Sequence, residues 1–511
     1  MYTWRKTERV THSHKASALM FAVFAATSCD VHAGEQFVAP SSLKTIGTID
    51  ARFQSYNVEM VEITGGRFWK PYPRDTRALV DRDRYGYRPP IDLTNRRLRN
   101  LTSALAPAYM RVSGTWANAT YFADDDHTPS TPLSGFNTVL TRAQWRGVIE
   151  FARAVNAEIV TSFAVSPGSR DALGAWTPDQ AQRLVAYTQS LGGRIAAAEF
   201  MNEPTLAATN GPPPGYDATA YGRDFKIFRD WIKRISPDTL ILGPGSAGDA
   251  ASPSASGLSA RALLTTSGAG VDRFSYHHYF TLSPRCNVHD DPAQALTERW
   301  LSRTDQALSI YRALRDEFEP EKPIWLTETA NAACGGNPSD ATFLDTFRYV
   351  DQLGRLARAG VQVVMHNTLA ASDYSLLDEK DLHPRPNYWG ALLWHRLMGT
   401  TVLDVSSPAA DLHLYAHCHP AMHGAVSLLA INTSRRSSRS LSLPLSARLY
   451  TLDAARLQSA TVRLNGKTLL LAANDELPRL DARAVPAGAT RLAPASITFL
   501  VIPDAANPAC A

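Results

Sequence analysis

Glu203 and Glu328 are of the residue type that acid/base and nucleophilic chemistry on a single substrate requires. Glu203 lies in Glu199-Phe200-Met201-Asn202-Glu203-Pro204, and Glu328 lies in Trp325-Leu326-Thr327-Glu328-Thr329. Each follows a short apolar run of strand character, so each reads as a carboxylate at the C-terminal end of a strand. Two carboxylates about 5–5.5 Å apart are what a retaining glycosidase needs. One, ionised, attacks the anomeric carbon; the other, protonated, releases the leaving oxygen and then acts as base toward water. A single such Glu reads as a solvated loop carboxylate or a structural ion pair. Two at corresponding strand ends, one inside Asn-Glu-Pro, read as a catalytic pair.

The surrounding pattern supplies elements that can bring the two together. Short apolar, β-branched runs at Lys44–Asp50, Tyr109–Ser113, Glu158–Phe163, Ala197–Met201, Thr239–Gly243, Arg273–His277, Pro323–Thr327 and Val361–His366 alternate with room for helices. Tyr221, Phe225, Phe228, Ile232 and Ile235 are spaced for one helix, which Pro237 ends, and Leu344, Phe347, Val350 and Leu353 for a later one. Eight such βα units without a Gly-rich dinucleotide fingerprint predict a (β/α)8 TIM barrel rather than an open doubly wound sheet. After Gly399 the pattern becomes short alternating runs, Leu412–Ala416, Val426–Ile431 and Leu441–Leu445, separated by polar turns. Asn465-Gly466 is a two-residue hairpin signal, and Ile497–Ile502 makes a last apolar strand. These predict a C-terminal all-β sandwich domain. The expected division is a leader over 1–33, a catalytic barrel over 34–398 whose first residues add a strand to the sandwich, and the sandwich over 399–511.

The 511 residues are 44% hydrophobic and 20% charged, which excludes collagen, a disordered tail and a disulfide-knotted miniprotein. No uninterrupted apolar stretch approaches the ~18 residues of a membrane-spanning helix, which excludes a polytopic membrane protein. Arg5, Lys6, Arg9 and Lys15 precede the apolar run Ala16 to Thr27, and Val31-His32-Ala33 precedes Gly34. This is the pattern of a cleaved secretory signal, so a secreted or periplasmic protein is expected; lipidation at Cys29 is the rival reading. Loss of the leader's four basic and two acidic residues takes the net charge from +4 to +2. Nothing in that balance attracts nucleic acid. The remaining Cys286, Cys334, Cys418 and Cys510 suggest two disulfides, with three pairings possible. A Cys418–Cys510 bond would pin the C-terminus to the sandwich, and Cys286–Cys334 would join adjacent barrel loops.

Several runs narrow the reading. They are Thr48-Ile49-Asp50-Ala51, Met110-Arg111-Val112-Ser113-Gly114-Thr115, Tyr276-His277-His278-Tyr279, Gly335-Gly336 after Glu328, Tyr374 with Leu377-Asp378-Glu379, and Pro386-Asn387-Tyr388-Trp389. With Leu464-Asn465-Gly466 and the Cys418/Cys510 pair, they occur in the order that resembles the heparanase-type β-glucuronidases, glycoside hydrolase family 79. The resemblance runs from about Lys44 to Cys510. It implies Glu203 as acid/base and Glu328 as nucleophile, with Asn202 on the sugar 2-hydroxyl and Tyr279 beside Glu328. It also implies that Tyr374 and the N–H groups of Gly335 and Gly336 hold the glucuronate carboxylate, and that Asp50 and Thr115 line the glycone pocket. The implied activity is retaining, endo-acting hydrolysis of heparan sulfate or a related glycosaminoglycan, by a monomer with no cofactor and no metal. The alternatives are an exo-β-glucuronidase, a relative taking a neutral glycone such as a xylosidase or arabinosidase, and a non-catalytic glycan-binding surface protein.

Other features bear on substrate and metal. Tyr121 to Asn137 is short where mammalian relatives carry a long excised linker, so one uncut chain is expected to be active. Its Asp124-Asp125-Asp126 run argues against a sulfate groove there. Arg82, Arg84, Arg88, Arg96, Arg97 and Arg99 read as a solvated basic face more readily than a glycan grip. His277 and His278, adjacent in a strand, point to opposite faces and do not share an ion. His413, His417, His419 and His423 make a weak metal signal. Trp389 and Trp394 read as core.

Overall fold

The computed structural model describes residues 36–72, 84–125, 131–248, 258–407 and 409–511. The expected leader, Cys29, Arg82 and Asp126 lie outside the described residues. Eight parallel strands close into a barrel in chain order: β1 Gln54–Glu59, β2 Ala108–Ser113, β3 Ala157–Ser162, β4 Ile195–Glu199, β5 Leu240–Ser246, β6 Arg273–Leu282, β7 Ile324–Ala333 and β8 Val363–His366. Pairing of Val364 with Gln54 and His366 with Tyr56 closes the ring. A helix follows every strand, from Arg96–Ser103 after β1 to Pro386–Leu397 after β8. In Ala218–Ile235, Asp217 caps the N-terminus through Ala220 N (2.8 Å), and Tyr221, Phe225, Phe228, Trp231 and Ile232 form the buried stripe.

One predicted strand is corrected. Thr45–Thr48, inside the expected first barrel strand Lys44–Asp50, pairs antiparallel with Thr401–Leu403 at the edge of the C-terminal sheet. The barrel begins instead at β1. There Tyr56 and Val58 face the helices, while Asn57 and Glu59 face the interior. An inner face that serves the mouth of the barrel is polar, so β1 lacks the apolar run by which the other strands are recognised.

After the last barrel helix the chain forms a nine-stranded sheet, with Leu412–Cys418, Val426–Asn432 and Ser496–Ile502 at its centre. A three-stranded sheet of Gln36–Phe37, Arg439–Leu443 and Gly488–Leu492 accompanies it. Helix Phe343–Arg358 packs on the larger sheet, where Gly354 lets the Tyr415 ring approach so closely that a Cβ would meet it at 2.4 Å. Disulfides join Cys286 to Cys334 and Cys418 to Cys510. No helix among the described residues is long and apolar enough to cross a membrane.

Candidate active site

The strands' inner face changes character along the barrel. At the N-terminal end Tyr109, Val160, Ala197, Leu242, Trp325, Val363 and Met365 make an apolar plug. One inward step further toward the mouth, the same strands present Arg111, Ser162, Glu199 and Thr327, all buried.

Arg111 organises this polar layer. Its Nε and Nη2 donate to Glu199 Oε2 (3.0 and 2.7 Å), its Nη1 to Glu328 Oε2 (2.8 Å), and its Nη2 also to Asn202 Oδ1 (2.8 Å). The other Glu199 oxygen accepts from Ser275 Oγ (3.1 Å) and Thr327 Oγ1 (2.8 Å). Burial alone would raise the Glu199 pKa, but the Arg111 charge and contacts with His277 reverse this and hold it far below the usual carboxylate range. Glu199 therefore stays ionised and balances Arg111.

Glu328 has both oxygens engaged, Oε2 by Arg111 and Oε1 by the Tyr279 hydroxyl (2.7 Å). Asn367 Nδ2 reaches the Tyr279 hydroxyl (2.9 Å), the Tyr374 hydroxyl (3.2 Å) and Glu59 Oε1 (3.2 Å). Burial, and then the charge of Glu328, lift the Glu59 carboxyl well above its ordinary pKa.

Glu203 stands on a left-handed backbone, φ +46°, a conformation that costs a non-glycine residue about 1–2 kcal/mol. Asn118 holds the preceding peptide from both sides: Asn202 N donates to its Oδ1 (2.8 Å) and its Nδ2 donates to Asn202 O (2.9 Å). His277 Nδ1 lies 3.2 Å from Glu203 Oε1 and 3.8 Å from Glu328 Oε2. Burial opposes a charge on this imidazole. The charge of Glu328 and the contacts with Glu199 and Glu203 outweigh it, and the pKa is pushed up to about 9.

One oxygen each of Glu203 and Glu328 and one His277 nitrogen lie within 4.8 Å of one another. Such a spacing could serve a metal, but Arg111 and Tyr279 already occupy both Glu328 oxygens. His278 faces away and packs on Phe280, and burial first, then Arg348 and Arg303, lower its pKa to about 3.

Of the expected site residues, Glu203, Glu328, Asn202 and Tyr279 come together around Arg111, and Tyr374 joins them through Asn367. Thr115 follows β2 at the mouth. Gly335 and Gly336 follow β7, both with positive φ (+79° and +86°). Asp50 does not join them. Its N–H bonds to Gln362 O ahead of β8 and its carboxylate accepts from Arg52 N (2.7 Å), at the opposite end of the barrel. Glu59 takes the mouth end of β1 instead, with Oε2 against Gly114 so closely that no Cβ could stand there. Arg111, Glu199, Asn118, His277, Glu59 and Asn367 carry the geometry without having been singled out as site residues. A charge within an apolar strand, as in Ala108–Ser113 and Ile195–Glu199, was the available signal for two of them.

The remaining candidates have structural work. Arg88 pairs with Glu62 and Glu379, Arg97 with Asp475, and Arg99 bonds Leu93 O. Asp124 pairs with Arg142. His413 binds Asp351, His417 binds Gly399 O, and Trp389 and Trp394 are buried.

Over most of its length the chain is 27% identical to a heparanase from Mus musculus, covering 81% of this chain and 87% of that one. It is 25% identical to a hyaluronoglucuronidase from Hirudo nipponia, covering 82% and 92%. Among solved structures, an α-L-arabinofuranosidase from Thermotoga maritima superposes with a TM-score of 0.64 at 14% identity, covering 92% of this chain and all of that one; the likeness is one of fold. The family description "Glycosyl hydrolase family 79, N-terminal domain" matches residues 90–354, the segment that carries Arg111, Glu203, His277 and Glu328. This chain is a glycoside hydrolase and belongs to family 79.

Proposed function

We propose that this enzyme is a retaining β-glucuronidase that cuts internal linkages of heparan sulfate or a related glycosaminoglycan. The observation that carries the reading is the gap between Glu203 and Glu328, whose facing oxygens lie within 4.8 Å. An inverting pair stands about 6.5–9.5 Å apart to hold a water between its carboxyls, and this gap is too short for that. Glu328 attacks the anomeric carbon while Glu203 protonates the departing oxygen. Glu203 then takes a proton from the water that releases the sugar from Glu328. Arg111 and Tyr279 fix the direction of the attacking carboxylate. His277 Nδ1 faces both carboxylates, 3.2 Å from Glu203 and 3.8 Å from Glu328. Asn202 addresses the 2-hydroxyl, and Tyr374 with the N–H groups of Gly335 and Gly336 takes the uronate carboxylate. The relatives named heparanase and hyaluronoglucuronidase support a glycosaminoglycan as the polymer. The expected form is a secreted monomer with the barrel over 34–398 and the sandwich over 399–511.

The test is a heparan sulfate digest followed over time by size-exclusion chromatography, with Glu328→Gln as control. A fast shift of the whole polymer to intermediate sizes is the expected result. One observation favours a second reading, release of terminal glucuronate. A ribbon of Gly66–Trp69 and Tyr85–Arg88 is inserted after β1, and Trp69 packs on Gly335 beside the proposed carboxylate cradle. Unchanged polymer together with glucuronate released from an aryl glucuronide would select that reading.

A further inference from the structure

The Gly335-Gly336 segment does not keep its shape by itself. Cys334, Gly335 and Gly336 are three successive residues at positive φ, +61°, +79° and +86°. Positive φ, open to glycine without a Cβ penalty, lets this backbone turn sharply. The carbonyls all meet one side chain. Arg285 Nη1 lies 3.3, 2.8 and 3.1 Å from the oxygens of Cys334, Gly335 and Gly336. Its Nη2 donates to Asp373 Oδ2 (3.0 Å), next to Tyr374, and to Lys70 O in the inserted ribbon. The guanidinium lies 3.7 Å over the Tyr72 ring. The Cys286–Cys334 disulfide fastens the residue after Arg285 to the residue before Gly335. Among the described residues, no acceptor takes the N–H of Gly335 or Gly336.

We infer that Arg285 is a positioning residue for recognition of the uronate carboxylate. By collecting three carbonyls on its side of the turn, it leaves two N–H donors facing the glycone. The same guanidinium sets Asp373, and with it Tyr374, at the other edge of the cradle. Only a planar fork with several fixed donors can do this; an ammonium carries the charge without the fork. The partner is a carboxylate-bearing glycone, and the inference rests on the β-glucuronidase reading above.

The test measures hydrolysis of an aryl β-glucuronide and an aryl β-glucoside by wild type, Arg285→Met and Arg285→Lys, with inhibition by free glucuronate and by glucose. Loss of the cradle removes binding common to ground and transition states, so KM rises while kcat holds. Arg285→Met is expected to raise the glucuronide KM and the glucuronate inhibition constant about tenfold or more, with kcat within about threefold. Arg285→Lys should fall between wild type and Arg285→Met, and glucose inhibition should stay unchanged. A glucuronide KM equal to wild type in Arg285→Met overturns the inference; if that variant does not fold, the same result in Arg285→Lys does so. An equal loss with both glycones, or a fall in kcat alone, overturns it too and marks Arg285 as a general structural residue. A wild type that ignores glucuronides and hydrolyses the glucoside overturns the parent reading, and this inference with it.

Discussion

The two ends of the barrel are built from the same strands and obey opposite rules. On β2 the inward face runs from Tyr109 to Arg111, on β4 from Ala197 to Glu199, and on β7 from Trp325 to Thr327. The N-terminal end is an apolar plug whose burial stabilises the ring at roughly 25 cal/mol per Å². At the other end lie a buried guanidinium, an ionised Glu199 and a protonated imidazole, groups whose removal from water opposes folding. The difference shows where stability and reactivity are kept apart. The plug holds the strands in register, and the charged layer above it brings oxygens of Glu203 and Glu328 within 4.8 Å of one another. Substitutions at the two ends should therefore separate activity from stability.

The largest effect expected is Glu328→Gln. With the proposed nucleophile gone, turnover of any glucuronide should fall on the order of 10⁴-fold or more. Gln keeps an oxygen for Arg111 or Tyr279, so thermal unfolding should move little. Wild-type activity in a folded Glu328→Gln protein would refute the assignment of the catalytic pair.

Second comes Arg111→Met. It leaves Glu199 buried without its cation, and unpairing a buried charge costs about 3–5 kcal/mol. Adding Glu199→Leu should return much of that stability, because an apolar pair can replace a buried ion pair, and return none of the activity. Chemical denaturation of the two proteins measures this. A double variant no more stable than Arg111→Met would show that the charged layer, like the plug, holds the ring together.

The same contrast explains what could be read from the sequence. Seven of the predicted strands overlap barrel strands because their outer faces are apolar. β1 was missed, and Lys44–Asp50 put in its place, because an interior of Asn57 and Glu59 interrupts the apolar signal. That shift also carried Asp50 into the expected site, where Glu59 stands instead. Glu203 and Glu328 were singled out as strand-end carboxylates; Glu203 lies in the loop after β4, and Glu328 lies inside β7, which runs on to Ala333 past the expected end at Thr327. Arg111 and Glu199 were passed over: the charge inside each strand was visible, but its partners appear only once barrel closure brings β2, β4 and β7 together. The two disulfides follow from loop adjacency and the C-terminal strand. The hold of Arg285 on successive carbonyls joins segments far apart in the chain and has no local pattern at all.

Third, Trp325→Ala opens a cavity within the plug, where Tyr109 packs on the indole at 4.8 Å. The loss expected is about 3–5 kcal/mol. Because Trp325 lies an inward step below the charged layer, kcat per folded molecule should stay near wild type, by active-site titration against unfolded fraction. A kcat that falls in proportion to stability would mean that the two ends are mechanically one.

The smallest effect expected lies outside the barrel, where helix Phe343–Arg358 meets the sheet. Asp351 accepts from Tyr415 (2.7 Å) and lies 2.6 Å from His413 Nδ1. Burial opposes charge on both groups. Their mutual attraction prevails, so Asp351 is lowered to about 2, and His413 is raised. A raised histidine contributes stability that is full below its unfolded value of about 6.5 and is lost as pH climbs through the folded one. A lowered aspartate contributes stability that is full above about 3.9 and is lost as pH falls toward 2. The clamp is therefore complete between about pH 4 and 6.5. His413→Gln should cost about 1 kcal/mol inside that window, less above it, and leave turnover unchanged. Urea unfolding at pH 5.5 and at alkaline pH measures the difference. An equal cost at both would assign the contribution of His413 to packing rather than charge, leaving the buried ions of the barrel mouth as the pH-sensitive part of the fold.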